Sequence, residues 1–486
     1  MAAKAKGKFE WQRLFFILLG LAVFFGIYFS APWADAVDPT GKAFPLSPQG
    51  KGAIALFLMA GIWWVFEVVP IGVTSIAIGV MQAMFFIRTP REAFSDFMDP
   101  SVMFIFGSVV IGLAFTKSGL TRRLAYKMLE LAGERTSMIL LGCLIVTAAL
   151  THFMAHTAAA ATVFPILIAI NDLYGEGDRP TRFGKSLFIG MAYAAGAGSI
   201  ITFLGAARGP AAAGMFKEFT GRDIGFFELT KYLSLVGWLM VFLIWAYLGV
   251  AFKAEKTVIP GLRERVKGLS SQLGVLTRNE ILVIVFVIGV VIVMGLQSFV
   301  PTLKPLDRSA IILVSTLMFF LCKVLTVQDL EEIPWNIILL FSGAMSIGFC
   351  LWKTGAAQWM AVHWLAMFQN AHWMVFVLGI ALFVLIMTNF IMNVAAIAIS
   401  LPVSLVIAKY LGVAPDVILY ASLVTAGMPF VLLIGAAPNA IAYESKQFTT
   451  GEFFTHGIVM SVILMVVLGI ALVTIWPMLG MPILMK

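Results

Sequence analysis

Charge is what this sequence has least of. Only 12% of its 486 residues are Asp, Glu, Lys or Arg, against roughly a quarter in an average soluble domain, while 61% are hydrophobic. Such a chain cannot cover a water-facing surface, which excludes a soluble enzyme or binding module. Cysteine is scarce as well. Cys143, Cys322 and Cys350 lie inside apolar segments without metal-ligand spacing, so no cysteine metal centre is expected. A Walker-type glycine-rich loop ending in Lys-Ser/Thr is missing too, which argues against an ATP-driven pump within the chain. The formal net charge of +8 would suggest nucleic acid in a soluble protein. Here the Lys and Arg sit between apolar runs, the pattern of positive-inside topology, and no nucleic-acid partner is expected.

Apolar stretches of the roughly 20 residues needed to cross a bilayer recur from Leu14 to the C-terminus. The first follows Lys4, Lys6, Lys8 and Arg13 and resembles a signal peptide, but Ser30-Ala31-Pro32 is a poor cleavage site, so it reads as a retained first helix. With the basic N-terminus in the cytoplasm, Asp35 and Asp38 fall outside. Helices near 52–69, 71–87 and 101–117 then return the chain to a basic loop at Lys117, Arg122, Arg123 and Lys127, as the rule requires. The next run, 138–170, is interrupted by Thr151, His152, His156 and Thr157, and both of its flanks are basic. A re-entrant hairpin accounts for this, since exposed backbone at membrane depth is tolerated only where protein or a water-filled cavity shields it.

Helices near 186–204 and 231–252 lead to the basic stretch Lys253 to Arg278. A second series follows, near 281–298, 309–322 and 336–352, then an interrupted run 373–408 broken around Asn389 and Asn393, then helices near 417–434 and 457–478. The fold class expected is an all-α polytopic membrane protein with about 11 transmembrane helices and two re-entrant hairpins. The domains expected are an arm and first helix (1–51), repeat 1 (52–252, hairpin 138–170, broken helix 186–215), a basic cytoplasmic loop (253–280) and repeat 2 (281–486, hairpin 373–408, broken helix 417–441).

The two series also match locally. Thr151-His-Phe-Met-Ala-His-Thr parallels Thr388-Asn-Phe-Ile-Met-Asn-Val, and Gly205-Ala-Ala-Arg-Gly parallels Gly435-Ala-Ala-Pro-Asn. Phe106-Gly-Ser and Lys117-Ser-Gly-Leu parallel Phe341-Ser-Gly and Lys353-Thr-Gly-Ala. An odd number of crossings separates the equivalents, so the copies face opposite ways. A single Gly/Pro break is usually an ordinary kink. Paired breaks in an inverted repeat instead point to a secondary transporter whose site lies at the repeat interface.

At such breaks, helix N-termini and free N–H groups suit carboxylates or sulfate-like groups, and carbonyls at the opposite ends can hold a cation. Ionisable residues deep in apolar runs default to function. His156, at the first tip, can attract an anion or couple its entry to a proton; the alternative is a neutral imidazole bonded to a carbonyl. Arg208 can pair with a carboxylate or snorkel to water. His152 reads as structural, and Glu67, before Val68-Val-Pro70, as scaffold. Asn393 and Asn439 offer a carbonyl oxygen to sodium or an amide to a carboxylate. Thr151, Thr157, Thr202 and Thr388 lie within or just before these sites. No carboxylate sits near His156, and an inverted repeat has no purpose in a membrane protease or acyltransferase, so no enzyme is expected.

These residues resemble the divalent anion/sodium symporter family, solute carrier family 13, over nearly the whole chain. Trp64-Val-Phe-Glu67-Val-Val-Pro70-Ile-Gly-Val-Thr74 is similar to that family's Trp-x-x-Glu-x-x-Pro-x-x-x-Thr stretch. Pro334-Trp335 with Phe341-Ser-Gly, and Met428-Pro429 leading to Ala437-Pro438-Asn439-Ala-Ile, are similar as well. The resemblance implies an elevator-type homodimer carrying dicarboxylates, citrate or sulfate, usually with sodium and sometimes by exchange.

It also implies a Ser-Asn-Thr triplet at each tip and Thr-Pro in each unwound helix. Here the triplets read Ala155-His156-Thr157 and Met392-Asn393-Val394, and the pairs read Ala206-Ala207 and Ala436-Ala437. By resemblance the first sodium site would use Thr151, positions 155 and 156, and the Gly205 carbonyl. Having lost a hydroxyl and an amide oxygen, and with imidazole a poor ligand for a hard cation, it is expected to bind none, His156 standing in for the charge. The second keeps Thr388, Asn393 and Gly435, enough for one sodium and no other cofactor. Substrate contacts are expected from Ala155, His156, Thr157, Ala206, Ala207, Arg208, Met392, Asn393, Val394, Ala436, Ala437, Pro438 and Asn439. The expected function is secondary active transport of a small, dicarboxylate-like organic anion, coupled to sodium or protons or by exchange. A sulfate, sulfonate or monocarboxylate carrier of the same fold, or a transport-dead sensor, stays open. The membrane expected is a bacterial inner membrane.

Overall fold

A computed structural model describes residues 11–37, 42–66, 68–174, 179–297, 299–303, 305–368 and 372–485. Lys4, Lys6, Lys8, Asp38 and Glu67 lie outside them. Helices dominate. In chain order they are α1 (Trp11–Tyr28), α2 (Pro48–Val65), α3 (Ile71–Met84), α4 (Pro90–Ser95), α5 (Pro100–Ser118) and α6 (Leu120–Ala132). Then come α7 (Thr136–Leu150), α8 (His156–Tyr174), α9 (Arg182–Gly198), α10 (Arg208–Thr220), α11 (Phe226–Ala251) and α12 (Leu262–Gln272). The remainder are α13 (Arg278–Leu296), α14 (Arg308–Leu321), α15 (Val327–Glu331), α16 (Trp335–Lys353), α17 (Ala356–Phe368), α18 (Trp373–Phe390) and α19 (Asn393–Tyr410). The last are α20 (Pro415–Ala426), α21 (Ala437–Tyr443) and α22 (Thr450–Ile470), the latter continued by a π-helical turn, Ala471–Ile475, to Met478.

Among the described residues nine helices are long and apolar enough to cross a membrane, and four shorter apolar ones accompany them. The chain is an all-α polytopic membrane protein. In lipid the backbone must satisfy itself, so the helix starts are capped from within. Ser47 accepts from Gly50 N–H, Thr181 from Gly184 N–H and Asp307 from Ser309 N–H. Thr89 with Glu92, Thr277 with Glu280, and Thr449 with Glu452 form capping boxes.

The element order runs twice. α3 and α14 both have 14 residues, and each is followed by a non-glycine residue at positive φ, Phe86 (53°) and Lys323 (58°). α5 and α16 both have 19 residues, and each runs into a left-handed glycine, Gly119 (φ 86°) and Gly355 (φ 78°). The 13-residue α6 and α17 come next, then α7–break–α8 and α18–break–α19, then the broken pairs α9/α10 and α20/α21.

By contacts the chain forms two compact units, and these do not follow the sequence halves. One comprises Met1–Asp99, Pro334–Ala371 and Ala398–Leu411; the other comprises Pro100–Ile333, His372–Ile397 and Gly412–Lys486. In the first, α1 packs on α2 and α3 on α16. A Cβ on Gly72 would lie 2.7 Å from Asn336 Oδ1, and one on Gly343 2.4 Å from Ser75 Cβ; small residues bring membrane helices this close. In the second, α14 packs on α5 through Gly107, where a Cβ would meet Ile312 at 2.8 Å. Lys117, at the end of α5, pairs with Asp329 and Glu332, each at 2.8 Å.

Three differences from the sequence reading stand out. The helices expected at 186–204 and 417–434 stop at Gly198 and Ala426, α9 at the C-cap Ser199 and α20 at the C-cap Gly427, two residues before Pro429. The stretch 253–280 is not a continuous loop: α12 occupies its middle, with Leu262, Val266 and Leu269 on one face, and α13 begins at Arg278. Helices α6 and α17 form in segments to which no helix was assigned.

Candidate functional site

Every residue expected in the site belongs to the second unit. The first interruption comes out as Thr151–Ala155 between α7 and α8, so the triplet 155–157 straddles the α8 start. Residues 199–207 unwind between α9 and α10. Hydrogen bonds tie these two stretches together. His156 N–H donates to the Gly205 carbonyl at 2.9 Å, and the Thr202 hydroxyl donates to the His152 carbonyl at 2.9 Å. The approach demands glycine: a Cβ on Gly205 would lie 2.6 Å from both the Ser199 and Thr151 carbonyl oxygens, and one on Gly198 2.5 Å from Thr151 Oγ1. The Thr151 hydroxyl donates to Ala148 O at 2.6 Å. The Thr151 hydroxyl hydrogen and one lone pair of the Gly205 carbonyl are thus spent on the backbone, while both oxygens keep acceptor capacity.

Arg208 opens α10 and is 2% exposed, so it does not snorkel. Its Nη2 donates to Ser199 Oγ at 2.7 Å, while its Nη1 is buried with no partner among the described residues. A Cβ on Gly427 would lie 2.8 Å from Nη2. The guanidinium therefore lies against the residues that cap the C-termini of α9 and α20, Ser199 and Gly427, where helix dipoles present their negative ends. His156 is partly exposed; its Nδ1 is enclosed without a hydrogen bond of normal geometry, and it lies within electrostatic range of Arg208. His152 stacks edge-on against Trp238, centroids 5.4 Å apart. Ala155, Thr157 and Ala207 are partly exposed and Ala206 is buried.

The second half is built the same way. α18 ends at Phe390, α19 begins at Asn393, and residues 427–436 unwind between α20 and α21 around the short 3-10 turn Leu433–Gly435. Thr388 Oγ1, fully buried, lies 2.9 Å from Asn393 Oδ1 and 3.1 Å from Ala426 O. Gly435 closes on the same spot: a Cβ there would be 3.2 Å from Thr388 O. Three residues expected to hold a cation therefore converge with a further carbonyl, and the single hydroxyl hydrogen can serve only one of these oxygens. Such a set suits a hard cation.

Two asparagines hold the unwound stretch open. Asn389 Oδ1 accepts from Val431 N–H at 2.9 Å and Leu432 N–H at 3.1 Å, while its Nδ2 donates to Leu385 O at 2.7 Å. Asn439 Nδ2 donates to Pro429 O at 2.8 Å and Leu432 O at 3.0 Å, which leaves only its carbonyl oxygen for anything else. The Tyr193 hydroxyl, from α9, reaches Phe430 O at 3.2 Å. Val394 and Pro438 are buried, Met392 and Ala436 are partly exposed, and Ala437 is exposed. Across the two halves, α21 packs on α8 and α9, and α10 on α20. The roles of Asn389, Ser199 and Tyr193 escape the sequence reading. Only Asn389 leaves a signal there, an amide within an apolar run.

The profile described as "Sodium:sulfate symporter transmembrane region" matches residues 14–482. The chain belongs to that family. Among its relatives, it is 24% identical over 444 residues to a protein named sodium-dependent dicarboxylate transporter SdcS of Staphylococcus saprophyticus, covering 87% of this chain and 85% of that one. It is 25% identical over 450 residues to SdcS of Staphylococcus aureus strain NCTC 8325, covering 86% and 85%. Among solved structures, the Alcanivorax borkumensis YdaH transporter matches with a TM-score of 0.54 and 13% identity over 97% of this chain and 98% of that one. The last likeness is one of fold alone. Family membership and the apolar helices make this a multi-pass integral membrane protein of a transporter family.

Proposed function

We propose that the protein is a secondary active transporter of small organic anions. The observation that carries the reading is a buried guanidinium set between the unwound stretches of two broken helices, against Ser199 and Gly427, with no carboxylate partner among the described residues. An uncompensated buried charge costs several kcal/mol, and a fold keeps one where an anion repays it. The SdcS relatives are named for sodium-dependent dicarboxylate transport, which supports a carboxylate-bearing substrate and sodium coupling.

The two cation positions are unequal. Thr388, Asn393, Gly435 and the Ala426 carbonyl form one sodium site. In the first copy Ala155 and His156 supply neither a hydroxyl nor an amide oxygen, and Arg208 supplies a fixed positive charge beside two helix C-termini. We therefore read the chain as carrying at most one sodium of the family type, with His156 free to couple a proton. Repeats facing opposite ways, an elevator-type homodimer and a cytoplasmic N-terminus in a bacterial inner membrane complete the reading. The test is uptake into proteoliposomes of labelled dicarboxylates, monocarboxylates, sulfonates and sulfate, with and without sodium and proton gradients. Flux of at least one anion is expected; no flux under any gradient, with ligand-induced thermal stabilisation retained, would make the chain a sensor instead.

A further inference from the structure

A cavity runs along α8, starting one residue beyond the triplet 155–157, and has no part in the reading above. It encloses about 780 Å³ within the second unit, along the α8 face that carries Ala158, Ala161, Pro165, Ala169 and Leu173. That size is typical of a ligand pocket. The α5–α6 corner forms a second wall, and α12 closes the third with Leu262, Val266 and Leu269. From Ala158 to Leu173 the wall is about 22 Å long at 1.5 Å per helical residue, more than one leaflet's share of a hydrocarbon core about 30 Å thick.

The lining separates by chemistry. Along α8 it is almost wholly apolar, and the hydroxyls of Thr116 and Thr162 are spent on the Gly112 and Ala158 carbonyls of their own helices, at 3.1 and 2.9 Å. A path for a small carboxylate would need polar, wet walls, so this is not a conduit for the substrate. The polar lining residues Thr121, Arg122 and Tyr126 lie in the first two turns of α6, and Asp172, near the end of α8, lines the cavity as well. Thr121 is 1% exposed and its enclosed hydroxyl has no partner among the described residues. Arg122 is exposed, as are Arg263 and Lys267 on neighbouring α12. Basic pockets beside transmembrane helices on the cytoplasmic side bind anionic lipid head groups, and the charge pattern assigns this end to that side.

We propose that the cavity holds one anionic glycerophospholipid, an acyl chain lying along α8 under α12 and the phosphate at the exposed Arg122, where α6 begins. The full chain, purified in detergent and delipidated, is tested by thermal melting and native mass spectrometry with dioleoyl phosphatidylglycerol, dioleoyl phosphatidylcholine and short-chain dihexanoyl phosphatidylglycerol. The long-chain anionic lipid is expected to raise the melting temperature by several degrees and to remain bound one per chain, with the other two giving much smaller shifts. Ala161→Phe fills the cavity and is expected to abolish the shift. Arg122→Gln, at an exposed position that leaves packing alone, is expected to reduce it to the phosphatidylcholine level. Equal shifts from the two long-chain lipids, an equal shift from the short-chain lipid, or an undiminished response in both variants would each overturn the proposal.

Discussion

Arg208 concentrates the chemistry of the candidate site in one side chain. Its guanidinium is enclosed, bonded through Nη2 to Ser199 Oγ and set against Gly427. Two helix C-termini with about half a negative charge each offset part of its burial, yet Nη1 still has a hydrogen to donate. Replacing a buried charge by an apolar group of similar length is often neutral or stabilising, so Arg208→Met is expected to fold and melt no lower than the parent. It should lose anion affinity by roughly 10- to 100-fold, the value of a charged hydrogen bond of about 1.5–3 kcal/mol; Arg208→Lys should recover part. Calorimetric titration with the transported anion measures both, and undiminished affinity in Arg208→Met would leave the residue a purely structural cation. At this scale much was legible, because a charge or amide inside an apolar run has few bland explanations. Illegible was which partner each would choose. Asn439 looked like a ligand and instead spends both amide hydrogens on Pro429 and Leu432.

The elements turn those choices into a shape. An unwound stretch inside a membrane helix exposes N–H and C=O groups that lipid cannot satisfy, and residues 429–432 survive because Asn389 accepts from two N–H groups while Asn439 donates to two carbonyls. Asn389→Ala would orphan both N–H groups, each worth about 1–3 kcal/mol when buried. It should melt well below the parent, and Asn389→Asp, which retains the acceptor oxygen but not the donor to Leu385, should fall between them. A melting temperature unchanged in Asn389→Ala would mean that the stretch is held by something else. Helix α9 depends on a remote cap. Glu255 accepts from Arg182 N–H at 2.7 Å and from the Tyr174 hydroxyl at 3.1 Å. Burial alone would raise its pKa, but these donors outweigh it and hold the carboxyl below its ordinary value of 4.5. A depressed carboxylate stabilises the fold above its unfolded pKa and loses that contribution as pH falls through the folded one. Glu255→Gln should accordingly melt lower than the parent at pH 7, the gap closing below about pH 4; a gap independent of pH would assign the effect to packing. The breaks themselves were visible as Gly and Pro clusters. This cap was not, since Glu255 lies far from Arg182 in sequence and carries no motif.

The whole molecule shows why the sequence halves predict its parts better than its packing. The duplicated order was readable from paired motifs, but each half gives a helix to the other's partner: α3 packs on α16 in one unit and α14 on α5 in the other. No local pattern encodes such an exchange, because an apolar helix face in a membrane protein is compatible with lipid or with any neighbour. The same limit hid an ion network at the far ends of the broken helices. Arg222, just beyond α10, pairs with Glu228 at the start of α11, at 2.8 Å, and with Asp416 in the first turn of α20. Arg308, at the start of α14, pairs with Asp223 and stacks over Phe203 of the first unwound stretch, 4.8 Å from its centroid. One exposed pair is worth at most about 1 kcal/mol, but pairs that join the outer ends of both broken helices can act as one unit. If they do, Arg222→Gln and Asp416→Asn should each weaken the fold slightly. The double variant should cost less than their sum by about 0.5–1 kcal/mol, and the coupling should shrink in 1 M salt, where charges are screened beyond about 3 Å. Strict additivity at low salt in denaturant melts would reduce the network to independent surface pairs.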